Sequence, residues 1–268
     1  MTEQMEWNSE IKLSARLRLI ANQVPRGGKL ADIGSDHALL PVYLAQRGIV
    51  ASAIAGELND GPFRAARKQV GIAGFAHTIA VRQGDGLSVL GSHEVDTVVI
   101  AGMGGSTITA IVEQGLDRLN GVSRLILQPN VGEALVRAWL LKRGWLLEDE
   151  HIVEEDGVIY EVLVARPEAG AEDKAAHERL YAFVAQSANT PPLDRELLLL
   201  LGPHQLRKAG ATFMNKWERE LDKRRRIISQ LAQSSLDEAR SKRLALEEEV
   251  HAIRRVLDCL QTGNLLFS

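Results

Sequence analysis

The chain has 268 residues, 45% of them hydrophobic and 25% charged, with a net charge of −3 and one cysteine. That composition suits a soluble globular protein with room for a large domain and a smaller one, and no apolar run approaches the ~20 residues that span a bilayer. Cys259 alone excludes a disulfide framework and a cysteine metal site, the opening "MTEQMEWNSEIKLSARL" lacks the apolar core of a secretory signal, and the expected home is the cytoplasm.

Residues 10–24 place Leu13, Leu17, Ile20 and Val24 at helical spacing, and Pro25 to Gly28 end the pattern, which predicts an N-terminal helix. Short β-rich runs follow, separated by helical stretches. "KLADIG" precedes a helix through about Arg47, and "ASAIAGEL" precedes one from about Pro62 to Val70. "TIAVRQ" stands third, "DTVVIAG" leads into a helix through about Gln114, and "RLILQP" into one from about Val131 to Arg143. Five β-then-α units of this kind predict an α/β fold, a parallel sheet covered by helices on both faces. "GWLLEDEHIVEEDGVIYEVLVARP" breaks the rhythm, reading strand, Asp156-Gly157 turn, strand, so an antiparallel hairpin completes a seven-stranded sheet.

A Glu, Ala, Gly and Asp segment from Pro167 to Asp173 reads as a linker between residues 1–167 and 174–268. Beyond it, Met214, Trp217, Leu221, Ile228 and Leu231 fall on a 3-4 repeat with Arg224 in the remaining slot, and Leu246, Val250, Ile253, Leu257 and Leu260 continue one. Two heptad helices with a polar bend near Ser234 and Ser235 predict a C-terminal coiled-coil hairpin, with an unbroken dimeric coiled coil as the rival. Residues 201–268 carry 13 basic against 9 acidic side chains, whereas residues 1–200 carry 19 against 26. A basic appendage on an acidic body suggests a polyanionic partner, although solvated helix faces produce the same count.

Parallel sheets bind ligands beyond the C-terminal ends of their strands. Four loops leave such ends here: "DIGSDHALLP", "GELNDGP", "QGDG" and "AGMGG". The first lacks the G-x-G-x-x-G of a dinucleotide site, and its Asp32 and Asp36 would repel a diphosphate, which argues against a nicotinamide dehydrogenase. Two carboxylates suit a phosphate-free ligand with a cationic end and hydroxyls, and S-adenosylmethionine is such a ligand. On that reading Gly34 lets backbone approach the methionine portion, either Asp32 or Asp36 compensates its ammonium, and Glu57 takes the ribose diol. Asp85 accepts from the adenine amine in a tight loop made by Gly84 and Gly86, while Ala101, Gly102 and Met103 line the cavity beside the transferred methyl. Ser35 and His37 complete the first loop, His37 as a hydrogen-bonding residue rather than a metal ligand, since no second ligand stands near it. Singly, Gly34 is a turn residue and Glu57 a surface acid; the signal lies in four loops agreeing in order.

"KLSARL", "LADIGSDHALLP", "AIAGELNDGPFRAARKQV", "VRQGDGLSVL", "IAGMGG", "LILQPN" and "EEDGVIYEVLVA", in this order, resemble the bacterial tRNA (adenine-22-N1)-methyltransferase family, from about Lys12 to Ala165 and more loosely into the tail. The resemblance implies a Rossmann-like class I methyltransferase domain, S-adenosylmethionine as donor, and ring nitrogen 1 of an adenine in tRNA as target. tRNA is then the expected partner, while composition and the lack of clustered ligands give no membrane and no metal, and a monomer is the expected assembly.

Enzymes that methylate exocyclic amines usually carry [DNS]-P-P-[YFW] after the fourth strand, and "AGMGG" offers no acid, amide or ring there. Ring nitrogen 1 has its own lone pair and needs alignment more than activation. Asp36 is the candidate to stabilise the cationic product or accept a proton from it. Arg16, in "LSARL", presents a cation to the tRNA backbone or the target base, or else is a surface arginine on a capping helix. Gln128, Pro129 and Asn130 end the fifth strand at the same rim, as base contacts or as turn residues. Lys223, Arg224, Arg225 and Arg226 would grip phosphates at a distance from the reacting base. A methyltransferase of another RNA, a protein or a small molecule, and a nonenzymatic RNA-binding module, are the rival functions.

Overall fold

In the computed structural model, which describes residues 11–182 and 193–262, the chain divides into two units, Met1–Lys174 and Ala175–Ser268. The leading "MTEQMEWNSE" lies outside the described residues. The first unit begins with helix α1 (Ala15–Ala21), whose Ser14 side chain caps the N–H of Leu17 at 3.2 Å. Then come β1 (Lys29–Ile33), α2 (Leu39–Gln46), β2 (Ser52–Glu57), α3 (Asp60–Ile72), β3 (Ile79–Gln83), β4 (Thr97–Gly104), α4 (Gly105–Gln114), β5 (Arg124–Val131), α5 (Glu133–Arg143), β6 (Trp145–Glu155) and β7 (Val158–Pro167).

The seven strands form one sheet in the order β3-β2-β1-β4-β5-β7-β6. β1 to β5 are parallel, and β7 pairs antiparallel with both β5 and β6. The centre is buried on both faces, which explains the unbroken apolar runs Val98-Val99-Ile100 and Leu125-Ile126-Leu127. Asp156 and Gly157 both have positive φ (50° and 77°), the conformation a two-residue hairpin loop requires, so the expected hairpin closes where its Asp-Gly stands. Across the hairpin, Arg137 of α5 lies fully buried between Glu150 of β6 and Glu161 of β7, and its Nε donates to Glu150 at 2.5 Å.

Two expectations need correction. The third β-then-α unit lacks its helix: β3 is followed by a 3-10 turn, Gly86–Val89, because Gly84, Gly86 and Gly91 crowd a segment where glycine disfavours a helix. The fourth strand also runs on past its apolar core to Gly104, so "AGMGG" is largely strand rather than loop, whereas "QPN" ends the fifth strand as expected, one residue short of Val131.

Helix α6 (Ala171–Leu180) crosses the boundary between the units. The second unit holds α7 (Arg195–Leu201), α8 (Pro203–Arg207), α9 (Ala211–Leu231) and α10 (Asp237–Gln261). The last two run antiparallel, with ion pairs Glu218–Arg254 and Glu249–Arg224 across them. Phe213, Trp217 and Leu221 of α9 and Ile253, Val256 and Leu257 of α10 are the buried residues of the pair, and Leu236 and its neighbours form the bend. No helix among the described residues is long and apolar enough to cross a membrane.

Candidate functional site

Strand order reverses between β1 and β4, where the chain leaves one toward β2 and the other toward β5, and that is where a crevice opens in such sheets. A cavity of about 290 Å³ lies there, lined by Arg16, Leu17, Asp32, Gly34, Ser35, Asp36, Ala101, Gly102, Met103, Asn130 and Tyr160. Gly34 turns the chain out of β1 at φ +70°, a conformation that L side chains rarely adopt, and a Cβ on it would stand 2.2 Å from the Met103 Cε, so the Met103 side chain would have to swing aside. Its N–H and that of Ser35 donate to the Gly56 carbonyl at 2.9 and 3.3 Å, which continues the β1–β2 pairing into the turn. Asp36, His37 and Ala38 then all take left-handed φ values of 45° to 66° before α2 begins, a run that non-glycine residues rarely adopt.

Two acids behind this loop are buried. Asp32 is 4% exposed and accepts from the Ser35 hydroxyl at 2.5 Å. Burial pushes its carboxyl up to about 7, against the Ser35 hydrogen bond, with the charges of Glu57 and Asp36 adding to the rise and Arg16 opposing it. Glu57, 6% exposed at the end of β2, is also raised by burial and by Asp36, while the backbone N–H groups of Asp36 and His37 pull the other way. Its Oε1 has no hydrogen-bond partner among the described residues. A buried carboxylate with a bare oxygen is costly unless a ligand donates to it.

The opposite wall is built from β4 and β5. Gly102 bulges out of β4 at φ +77°, and the register between the two strands shifts on either side of Met103. The Gly102 peptide is clasped from β5: its N–H donates to Gln128 Oε1 at 3.1 Å, and its carbonyl accepts from Asn130 Nδ2 at 2.8 Å. Arg16 reaches the same wall from α1, donating to Gln128 Oε1 at 2.7 Å with its guanidinium 5.4 Å from the Tyr160 ring centre. Helix α1 is fastened at its N-terminus by Glu155, which accepts from the backbone N–H groups of Ala15 and Arg16. A carboxylate there also suits the positive end of the helix dipole.

The crevice therefore brings together Arg16, Asp32, Gly34, Ser35, Asp36, Ala101, Gly102, Met103 and Asn130 of the residues expected from sequence. His37 is exposed beside it, its Nε2 3.6 Å from Asp36 Oδ1. Asp85 and Gly86 are not in that lining: they line a separate cavity of about 350 Å³ with Ser88, Ile111, Gln114 and Arg118, and Gly84 packs on Val89 beside them. Gln128 and Pro129 are buried, so they hold the wall rather than face the opening; Asn130 alone of the three is exposed. Among Lys223 to Arg226, three belong to the outer face of α9, but Arg224 is turned inward at 15% side-chain exposure between Glu220 and Glu249. It therefore pins α10 and is removed from the surface set. Tyr160 and Glu155 were missed; each acts on α1 across about 140 residues of sequence, and no local motif marks such a pair. Among the described residues there is no group of three or more His, Cys, Asp or Glu that could hold a metal ion.

A family model described as tRNA (adenine(22)-N(1))-methyltransferase matches residues 30–255. The tRNA (adenine(22)-N(1))-methyltransferase of Bacillus subtilis (strain 168) is 43% identical over 251 residues, covering 93% of this chain and 99% of its own. The crystal structure of the B. subtilis M1A22 tRNA methyltransferase superposes with a TM-score of 0.80 at 40% identity, over 92% of this chain and 100% of that one. A Streptococcus pneumoniae protein solved in complex with S-adenosyl-L-methionine superposes at 0.74 with 35% identity, over 92% and 100% of the two chains.

Proposed function

Because this chain belongs to the tRNA (adenine(22)-N(1))-methyltransferase family, we infer that it is an S-adenosylmethionine-dependent enzyme that methylates ring nitrogen 1 of adenine 22 in tRNA. The observation that carries the assignment of the cofactor to this crevice is the buried Glu57 carboxylate with its unpartnered Oε1, beside the acids Asp32 and Asp36. A ribose diol offers two O–H donors to such a carboxylate, whereas a pyrophosphate offers none and would meet three acids. The residues fit the cofactor on that count.

In this reading Glu57 holds the ribose, Asp32 faces the ammonium with Asp36 at the opening, and Gly34, Ser35 and His37 shape the loop around the methionine portion. Asp85, between Gly84 and Gly86, receives the adenine amine, and Ala101, Gly102 and Met103 floor the place of reaction. S-adenosylmethionine supplies an electrophilic methyl on a sulfonium when bound. The chain's own part is alignment, since ring nitrogen 1 of adenine already carries an in-plane lone pair, and holding reactants in line is worth several kcal/mol, roughly 7–11 at best. Asp36, exposed at the crevice, takes up the proton or positive charge that methylation leaves on the adenine. The base leaves its stack to reach this depth. Asn130 meets it at the rim, and Lys223, Arg225 and Arg226 hold phosphates further away. The heptad faces of α9 and α10 are spent on each other within one chain, which supports a monomer, and the tRNA substrate supports the cytoplasm.

Calorimetry tests the site. S-adenosylmethionine binds, NAD does not, and Glu57→Gln, which swaps one acceptor oxygen for a donor, weakens S-adenosylmethionine binding at least tenfold, about 1.4 kcal/mol. Undiminished affinity in the variant removes Glu57 from the site.

A further inference from the structure

Gln128 is fully buried, and every hydrogen-bonding position of its amide is used. Oε1 accepts from Arg16 Nη1 at 2.7 Å and from the Gly102 N–H at 3.1 Å. Nε2 donates to the Pro129 carbonyl at 2.9 Å and to Asn130 Oδ1 at 3.1 Å. An amide with two accepted and two donated bonds has one permitted orientation, because flipping it would set N–H groups against the Gly102 N–H and the Arg16 guanidinium. Neither a carboxylate nor an apolar side chain of the same volume can satisfy all four neighbours.

The consequence falls on Arg16. Other half-buried or buried arginines of this unit are matched to acids: Arg82 to Glu94, Arg137 to Glu150 and Glu161, Arg166 to Asp173. Arg16 is held instead by an amide oxygen and by the Tyr160 ring, and the carboxylates Asp32 and Glu155 feel its guanidinium charge only through space. Its guanidinium is thus oriented at the crevice without a carboxylate in ion-pair contact among the described residues. Among the described residues it is also the one cation in the cavity wall. A fixed, unneutralised guanidinium is a receptor for an oxyanion, and a nucleotide entering the crevice brings one in its backbone phosphate.

We propose that Gln128 is a positioning residue that holds Arg16 as a clamp for the phosphate of the target nucleotide, and that an amide at this position keeps the Arg16 charge available. This rests on tRNA being the substrate. Gln128→Glu converts the neutral tether into an ion pair and removes both donated bonds; Gln128→Met keeps the volume and frees Arg16; Arg16→Ala removes the clamp.

The test is steady-state methylation of a tRNA transcript at several salt concentrations, with S-adenosylmethionine affinity measured alongside. Each of the three variants raises KM for tRNA about tenfold, and each lowers the slope of log affinity against log salt by about 0.7–0.9, the loss of one phosphate contact. S-adenosylmethionine affinity stays within about twofold of wild type in the two Gln128 variants, which keep Arg16, and the pair Arg16→Ala with Gln128→Glu is no worse in KM for tRNA than Arg16→Ala alone. A wild-type salt slope in Arg16→Ala or in both Gln128 variants overturns the proposal. So does a loss of S-adenosylmethionine binding in both Gln128 variants, which makes the residue structural. Failure of the wild-type protein to methylate any tRNA sinks the functional reading instead, and is seen before any variant is made.

Discussion

At the scale of single residues, the crevice is defined by where charge is tolerated. Asp32 is raised to about 7 mainly by burial, while in the unfolded chain its carboxyl titrates near 3.8. The folded state therefore holds the proton more tightly. Below 3.8 the residue costs nothing, stability falls as pH rises from there toward 7, and the loss is complete above 7. A cationic ammonium reverses the preference by favouring the ionised form. Affinity for S-adenosylmethionine is thus expected to climb as pH rises toward about 7 and then level off, with a proton released on binding at the acidic end. Calorimetry at pH 6 in two buffers of different ionisation heat measures that proton, and Asp32→Asn abolishes it; a pH-independent affinity in the native protein contradicts the assignment. Asp32, Gly34 and Glu57 were legible in the sequence because each stands at the end of an apolar run, where a strand must stop and a loop must turn. Gln128 stood in view as well, but its role was not, since a strand-end amide looks the same whether it faces a ligand or a neighbour.

At the scale of elements, legibility followed periodicity. Apolar runs marked the strands and the Asp156-Gly157 pair marked the hairpin, yet the run ended too early for β4, whose last residues are glycine and methionine held in place by cross-strand hydrogen bonds. Helix α1 was visible from its spacing, while its attachment to Glu155 and Tyr160 was not, because those partners come from the far hairpin. The run of cations on α9 shows the same limit. Arg224 lies 5.9 Å from the Trp217 ring centre and pairs with Glu220 and Glu249, whereas Arg226 is exposed. Arg224→Ala should lower stability by roughly 1 kcal/mol, the scale of a partly exposed pair, and leave the salt slope of tRNA binding nearly unchanged. Arg226→Ala should do the reverse, with an unchanged melting temperature and a slope reduced by about 0.7–0.9 if it meets a phosphate. Thermal melts and filter binding across a salt series read both, and equal effects from the two variants would show that burial does not sort them.

At the scale of the whole molecule, the sequence announced an acidic α/β unit followed by a basic helical one, and the sheet with its antiparallel hairpin is what the chain forms. Strand order was not readable from alternating elements, since the reversal between β1 and β4 depends on which crossover passes over which face, and that is decided by packing. The order matters because it places Asp32 and Gly102 around one opening, with Glu57 buried at the end of the neighbouring strand β2. On the proposed function, this opening delivers a methyl group to ring nitrogen 1 of one adenine in tRNA. Nucleoside mass spectrometry of an unmodified tRNA transcript after reaction tests it most directly. The expected product is 1-methyladenosine, lost when adenine 22 is replaced by guanine; N6-methyladenosine, or methylation that survives that replacement, would overturn the assignment.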